Sequence, residues 1–163
     1  MSDPNLTSQD SNLKSKYYAI IVAGGSDTRM HSAVPKQFLL LNGLPVLMHT
    51  INAFHQSNTS PQIILVLHPD THEYWQQLCA EHNFEIEHQL IAGGETRFHS
   101  VRNGLASVED DNAIIAVHDA VRPLIAKESI DESYECAEQY GNAIVAIKSR
   151  DSVRQIKITA LKA

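Results

Sequence analysis

From residue 17 onward, short apolar runs alternate with longer stretches in which apolar residues recur every three or four positions. The runs read YYAIIVA, QIILVLH, EIEHQLIA, AIIAVH and NAIVAIK. Four of the runs predict β-strands because they are short, apolar and bounded by polar or turn residues, and EIEHQLIA predicts one because its residues alternate. Most of these runs are continuously apolar, which is typical of strands that are covered on both faces of a parallel sheet.

The stretches between the runs predict helices. PVLMHTINAFHQS has apolar residues near helical spacing, with Pro45 suited to the first turn, and DTHEYWQQLCAEH has a similar pattern. Ile130 and Tyr134 mark a further helix that Gly141 can terminate. Another helix face is predicted by four apolar residues at three-four-three spacing: Phe98, Val101, Leu105 and Val108. The alternation indicates a Rossmann-like α/β fold, a mostly parallel sheet with helices on both faces.

Length and charge narrow the classes of protein. The chain has 163 residues, enough for one domain with a core, and a net charge of −6, which argues against a general nucleic-acid binder. No apolar stretch approaches the roughly 20 residues of a membrane span. Residues 1–16 are polar and aperiodic, which predicts a disordered tail before a domain at residues 17–163. Cys79 and Cys136 lie far apart and form no disulfide framework, so we expect a cytoplasmic protein.

Three loops follow predicted strands, where ligands bind in such folds. The first loop holds Gly24 and Gly25, then Arg29 and Lys36. Glycines let backbone N–H groups approach a phosphate or a base, and the two cations can neutralise phosphate oxygens. The loop lacks the spacing of a P-loop or of a dinucleotide fingerprint. The alternative interpretation is a tight turn with two solvated cations.

The other two loops read GGETRFHSV and HDAVRP. In the first, two glycines precede a helix whose N-terminus favours an anion, although an ordinary glycine turn and cap would have the same sequence. In the second, Asp119 directly follows a predicted strand and can hold Mg²⁺, while Arg122 can hold a phosphate. The alternatives are a turn residue for Asp119 and a surface ion pair for Arg122.

Four segments, AGGxxxRM, PKQF, GGxxRxxSV and VHDAVRP, occur in this order. Together they resemble the 2-C-methyl-D-erythritol 4-phosphate cytidylyltransferases of isoprenoid-precursor synthesis, and secondly the ribitol-5-phosphate cytidylyltransferases. The resemblance extends from Tyr17 to about Arg154. It implies a fold of the nucleotide-diphospho-sugar transferase type.

The resemblance also implies roles for individual residues. The transition-state cations would be Arg29 and Lys36. Substrate binding would involve Asp119, which also faces the metal, together with Arg122 and Ser152. The nucleotide-binding residues would be Ala23, Gly24, Gly25, Gly94, Glu95, Ser100 and Ala120.

The implied reaction joins CTP and 2-C-methyl-D-erythritol 4-phosphate to give CDP-methylerythritol and pyrophosphate, with Mg²⁺ or another divalent cation, in a homodimer. Asp27 and Lys148 stand where the family usually has glycine and proline. The chain ends at Ala163, where family members continue into an arm that reaches a partner subunit. Two alternatives therefore stay open: an inactive, truncated nucleotide-binding relative, and an enzyme for another sugar phosphate.

Overall fold

The computed structural model describes residues 16–23 and 34–148. Two short 3₁₀ helices, Lys36–Phe38 and Pro69–Thr71, accompany the main elements. In chain order the main elements are β1 (Tyr17–Ala23), β2 (Leu40–Leu41), β3 (Leu44–Pro45), α1 (Val46–His55), β4 (Gln62–Leu67), α2 (His72–Glu81), β5 (Gln89–Ala92), α3 (Arg97–Leu105), β6 (Ile114–Asp119) and α4 (Lys127–Tyr140).

Four strands form one sheet in the order β5-β4-β1-β6, and every neighbouring pair is parallel. Strands β1 and β4 lie in the middle and are almost continuously buried, as their unbroken apolar sequences predict. The α/β class predicted from the alternation of runs and periodic stretches is therefore confirmed.

The side chains of β1 alternate between two hydrophobic clusters, one on each face of the sheet. Ala19 and Ile21 pack into the larger cluster with residues of α1, α2 and α4. Tyr18 and Ile20 pack into the smaller one, which α3 covers through Val101. Because successive residues of a strand point to opposite faces, the central strand supplies both cores.

The predicted apolar face of α3 is confirmed at Val101 and Val108, which pack on the smaller cluster, but is wrong at the other two residues. Phe98 is 70 % exposed and Leu105 is also exposed, whereas Ser100 and Gly104 are buried against the sheet. A Cβ placed on Gly104 would lie 2.8 Å from Cγ2 of Ile20, so only glycine lets the helix approach β1 this closely. Close packing of small residues therefore decides the orientation of α3, and a search for large apolar residues misses it.

The predicted strand NAIVAIK does not form. Residues 142–148 follow α4 without strand pairing, and Ile144 and Ile147 are almost fully exposed. A strand needs a neighbour that accepts its backbone hydrogen bonds, and none of the described strands pairs with this segment. A cavity of about 970 Å³ is instead lined by β6, α4 and residues 141–145.

The end of α4 agrees with the prediction. Gly141 adopts a left-handed φ of +87°, and its N–H donates to the carbonyl oxygen of Ala137 at 2.8 Å.

The predicted disorder of residues 1–16 falls almost wholly outside the described residues. In the part of the chain that the structure describes, no helix has the length and apolar content to cross a bilayer.

Candidate functional site

The carboxyl ends of all four parallel strands meet at one edge of the sheet. In the strand register Ala23 lies opposite Leu67, Leu67 lies opposite Ala92, and Val22 lies opposite Asp119. The loops that leave these strands therefore start side by side, as the parallel topology requires. This edge is the candidate site.

The loop after β5 is held by two backbone N–H groups. The N–H of Gly93 donates to the carbonyl oxygen of Leu67 at 2.7 Å, and the N–H of Gly94 donates to Oγ of Ser100 at 3.1 Å. A side chain on Gly94 would collide with Cβ of His99. Ser100 is completely buried, so its hydroxyl holds the loop from the side of α3.

The start of α3 is fixed by its cap. Oγ1 of Thr96 accepts from the backbone N–H of His99 at 3.4 Å and lies 2.9 Å from Nδ1 of the same residue. Further along the helix, Nδ2 of Asn103 donates to the carbonyl oxygen of Ala92 at 3.0 Å. Glu95, between the glycines and the cap, is exposed to solvent. The loop is therefore fixed at both ends by hydrogen bonds, while its acidic residue is accessible to solvent.

Ala120 is buried immediately after β6 and is bonded on both sides. Its N–H donates to the carbonyl oxygen of Val22 at 3.0 Å, and its carbonyl oxygen accepts from Oγ1 of Thr50 at 2.7 Å. Thr50 is itself completely buried in α1. These bonds hold the turn after β6 against the end of β1.

Lys36 begins the 3₁₀ helix that follows the first loop. Its neighbour Gln37 is buried and donates through Nε2 to the carbonyl oxygen of Ala23 at 3.4 Å. Phe38 anchors the same turn in the larger hydrophobic cluster. Lys36 is thereby positioned near the carboxyl end of β1, although it lies 13 residues further along the chain.

The side chain of Asp119 is bound by two arginines. Oδ1 accepts from Nε and Nη2 of Arg97 at 3.1 and 2.9 Å, and Oδ2 accepts from Nε of Arg122 at 2.9 Å. Burial alone raises the pKa of Asp119, but the hydrogen bonds and charges of the two arginines outweigh it and hold this pKa below its ordinary value. The group is therefore an ionised carboxylate between two guanidinium groups.

The sequence matches a known family of proteins along almost all of the described chain. The family model of 2-C-methyl-D-erythritol 4-phosphate cytidylyltransferase matches residues 17–161. The chain belongs to this family.

Curated members of the cytidylyltransferase family are similar along most of the chain. A relative from Azobacteroides pseudotrichonymphae is 50 % identical over 139 residues, which are 85 % of this chain and 62 % of the relative. A relative from Porphyromonas gingivalis is 50 % identical over 142 residues, 87 % of this chain and 63 % of the relative. The chain thus spans about three fifths of the length of these cytidylyltransferases.

The fold is also similar to solved structures. The crystal structure of 4-diphosphocytidyl-2C-methyl-D-erythritol synthase from Anaerococcus prevotii is 26 % identical, with a TM-score of 0.70. That similarity covers 87 % of this chain and 59 % of the solved one.

The structure places most of the predicted site residues at one edge of the sheet. Those described there are Ala23, Lys36, Gly94, Glu95, Ser100, Asp119, Ala120 and Arg122. Their roles in a cytidylyltransferase site stay predictions. Outside the described residues lie Gly24, Gly25, Asp27, Arg29 and Ser152.

Sequence reasoning missed three residues that organise this edge of the cytidylyltransferase fold: Arg97, Gln37 and Thr50. Arg97 lies within the GGxxRxxSV segment, but nothing in the sequence pairs it with a carboxylate 22 residues away. Gln37 lies within the PKQF segment, so the resemblance contained a signal for it. Thr50 lies inside a predicted helix and in none of the segments that carry the resemblance, so nothing in the sequence marks it.

The residues at this site do not fit a divalent cation bound by Asp119. Both carboxylate oxygens are engaged by guanidinium groups, and a cation there would face two positive charges. Among residues 16–23 and 34–148, no group of three or more His, Cys, Asp or Glu side chains is arranged to hold a metal ion. The predicted metal role of Asp119 is thus not supported by its surroundings.

Proposed function

We propose that this chain carries the nucleotide site of a cytidylyltransferase that joins CTP to 2-C-methyl-D-erythritol 4-phosphate. In this reaction an oxygen of the acceptor phosphate attacks the α-phosphorus of CTP. The bond between that phosphorus and the bridging oxygen breaks, and pyrophosphate leaves with the electron pair. The products are CDP-methylerythritol and pyrophosphate.

The observation that carries the proposal is the braced loop at Gly94. A flat base must come close to the backbone, and Gly94 keeps this position without a side chain because a Cβ there would meet Cβ of His99. The buried hydroxyl of Ser100 fixes the direction of the loop, so neighbouring backbone groups are held ready to read the edge of a cytosine. Ala120, held by Val22 and Thr50, would lie beside the ribose.

The reaction needs no general base, because the attacking phosphate is already anionic near neutral pH. The protein must hold two anions together and stabilise the charge that develops on one phosphorus atom. Lys36, positioned by Gln37 near the end of β1, is the described cation that we assign to this task. This local need explains why an acidic chain places cations in one loop.

We include a divalent cation, Mg²⁺, as the companion of the CTP triphosphate, where it would offset part of the phosphate charge. No described residue is assigned to hold it. We also propose a cytoplasmic location, from the two widely separated cysteines, and a homodimer, from the family resemblance. Burial raises the pKa of the Cys79 thiol to about 11, which fits an unreactive packing residue.

Pyrophosphate release tests the proposal. The chain is incubated with Mg²⁺ and each of CTP, UTP, ATP and GTP, with 2-C-methyl-D-erythritol 4-phosphate or ribitol 5-phosphate as acceptor. We expect release with CTP and the methylerythritol phosphate, and a strong preference for CTP over UTP. Equal turnover of UTP and CTP, or a preference for ribitol 5-phosphate, would contradict the assignment.

Direct binding complements the activity assay. Calorimetry with CTP and Mg²⁺ measures whether the loops at this edge hold the nucleotide, independently of turnover. Binding of CTP but not of UTP, without turnover, would correspond to the nucleotide-binding relative that does not catalyse.

A further inference from the structure

The cluster of Arg97, Asp119 and Arg122 joins two separate parts of the chain. Arg97 is the first residue of α3, directly after the cap Thr96, and so follows the loop that carries Gly94. Asp119 is the last residue of β6, and Arg122 lies in the turn that follows it. The ion pairs therefore connect the start of α3, next to the loop that carries Gly94, with the end of β6.

The geometry differs between the two arginines. Arg97 approaches Asp119 side-on and uses two N–H groups on one oxygen, whereas Arg122 uses Nε on the other oxygen. The backbone N–H of Arg122 also donates to the carbonyl oxygen of Asp119 at 3.1 Å, so the turn is closed on itself. Asp119 cannot rotate toward another ligand without breaking at least one of these bonds.

Exposure shows where the remaining donors point. The side chain of Asp119 is 30 % exposed, while those of Arg97 and Arg122 are 59 % and 72 % exposed. Each guanidinium has five N–H donors, and most of them are left over after Asp119 is satisfied. The cluster has one more positive than negative charge, so its outer surface favours an anion.

We propose that Arg97 is a positioning residue of this site: it holds Asp119 as the carboxylate that orients Arg122, and so prevents Asp119 from serving as a metal ligand. The ligand class that suits the oriented Arg122 is a phosphate group. This inference rests on the proposed function only for the identity of that phosphate. The orientation itself is a property of the free chain.

The first test uses no substrate. In ¹H–¹⁵N spectra the Nε–H signals of Arg97 and Arg122 are assigned by the variants Arg97→Lys and Arg122→Lys. Asp119→Asn should move both signals toward the position of a solvated arginine. Arg97→Gln should move the Arg122 signal, while Arg102→Gln, a change on the exposed side of the same helix, should leave it in place.

The second test measures the binding of two probes. Binding of Mn²⁺ is monitored by electron paramagnetic resonance, and binding of inorganic phosphate is monitored by the NMR signal of Arg122. Asp119→Asn should leave the Mn²⁺ affinity of the free chain unchanged. Arg97→Gln should weaken phosphate binding by about tenfold, the effect of losing one charge-assisted hydrogen bond. Arg97→Lys should restore only part of it, because an ammonium group cannot make the side-on pair.

Two results would overturn the inference. One is a tenfold or greater loss of Mn²⁺ affinity in Asp119→Asn, which would make Asp119 a metal ligand. The other is an Arg122 signal and a phosphate affinity that do not respond to Arg97→Gln. Neither readout requires turnover of CTP, so a failure of the proposed function would leave both tests valid. Thermal unfolding of each variant checks that the fold is retained.

Discussion

The buried hydroxyl of Ser100 accepts a hydrogen bond from the backbone N–H of Gly94 at 3.1 Å, and so joins α3 to the loop that enters it. Oγ of Ser100 also lies 3.5 Å from the carbonyl oxygen of Gly94. A loop that would otherwise rely on glycine flexibility is thereby held in one conformation. If the loop binds a nucleotide as proposed, a loop already held in this conformation loses less conformational entropy on binding, which favours affinity.

Ser100→Ala should therefore weaken CTP binding more than it weakens the fold. Loss of the brace should reduce CTP affinity by about tenfold and the free energy of unfolding by about 1 kcal/mol. Ser107→Ala is the matched control, because Ser107 donates to the carbonyl oxygen of Gly104 at 2.8 Å in the turn after α3. Calorimetry and urea unfolding measure the two effects. Equal CTP affinity in both variants would show that the brace serves stability alone.

Lys36→Ala should lower kcat by about 10²–10³ while changing KM for CTP much less, because the proposed role of the cation is to stabilise charge in the transition state. The control is Lys16→Ala, which removes a lysine at the opposite end of β1, where it pairs with Glu138. Steady-state kinetics on the active preparation separates the two parameters. An unchanged kcat in Lys36→Ala would remove this residue from the mechanism.

Tyr134 should make the protein sensitive to alkaline pH. Its buried hydroxyl donates to the carbonyl oxygen of Tyr18 at 2.7 Å, and burial raises its pKa above the ordinary value of 10.0. The folded state thus favours the protonated phenol. The resulting stabilisation is present below pH 10.0 and is lost as pH rises above it.

Urea midpoints between pH 8 and pH 11 measure this dependence. Tyr134→Phe should lower stability at pH 8 by about 1 kcal/mol, the value of one hydrogen bond, and should lose less stability than the wild type at high pH. Tyr74→Phe, at an exposed tyrosine, is the control and should keep the wild-type slope. If the urea midpoint fell with pH at the same slope in all three proteins, the loss of stability at alkaline pH could not be assigned to Tyr134.

The observed face of α3 predicts opposite outcomes for two substitutions. Gly104→Ala should destabilise by about 1–3 kcal/mol, because the added methyl group meets Ile20 and overpacks the core. Phe98→Ala removes a much larger side chain but should change stability by less than about 0.5 kcal/mol, because Phe98 is exposed. Thermal unfolding compares them. The reverse order of effects would restore the face predicted from apolar spacing.

Most of the fold could be predicted because local pattern and tertiary environment agree in it. The unbroken apolar runs of β1 and β4 correspond to strands covered on both faces, and Gly141 ends α4 where its sequence indicates. The predictions that were wrong concern segments whose conformation depends on the elements packed against them. Residues 142–148 have the composition of a strand but lack a pairing partner among the described strands, and α3 turns Gly104 to the sheet.

The sequence by itself determined the fold class and the family, because alternating elements and ordered short segments are properties of the chain alone. Which loops share one edge also follows from the sequence, once the strands are parallel. Only the tertiary structure decided how side chains from distant segments combine. Asp119 reads as a metal ligand in isolation, but Arg97 approaches it across 22 residues of chain and makes it a partner of guanidinium groups. Electrostatic pairing depends on distance in space, and spacing along the chain does not contain that distance.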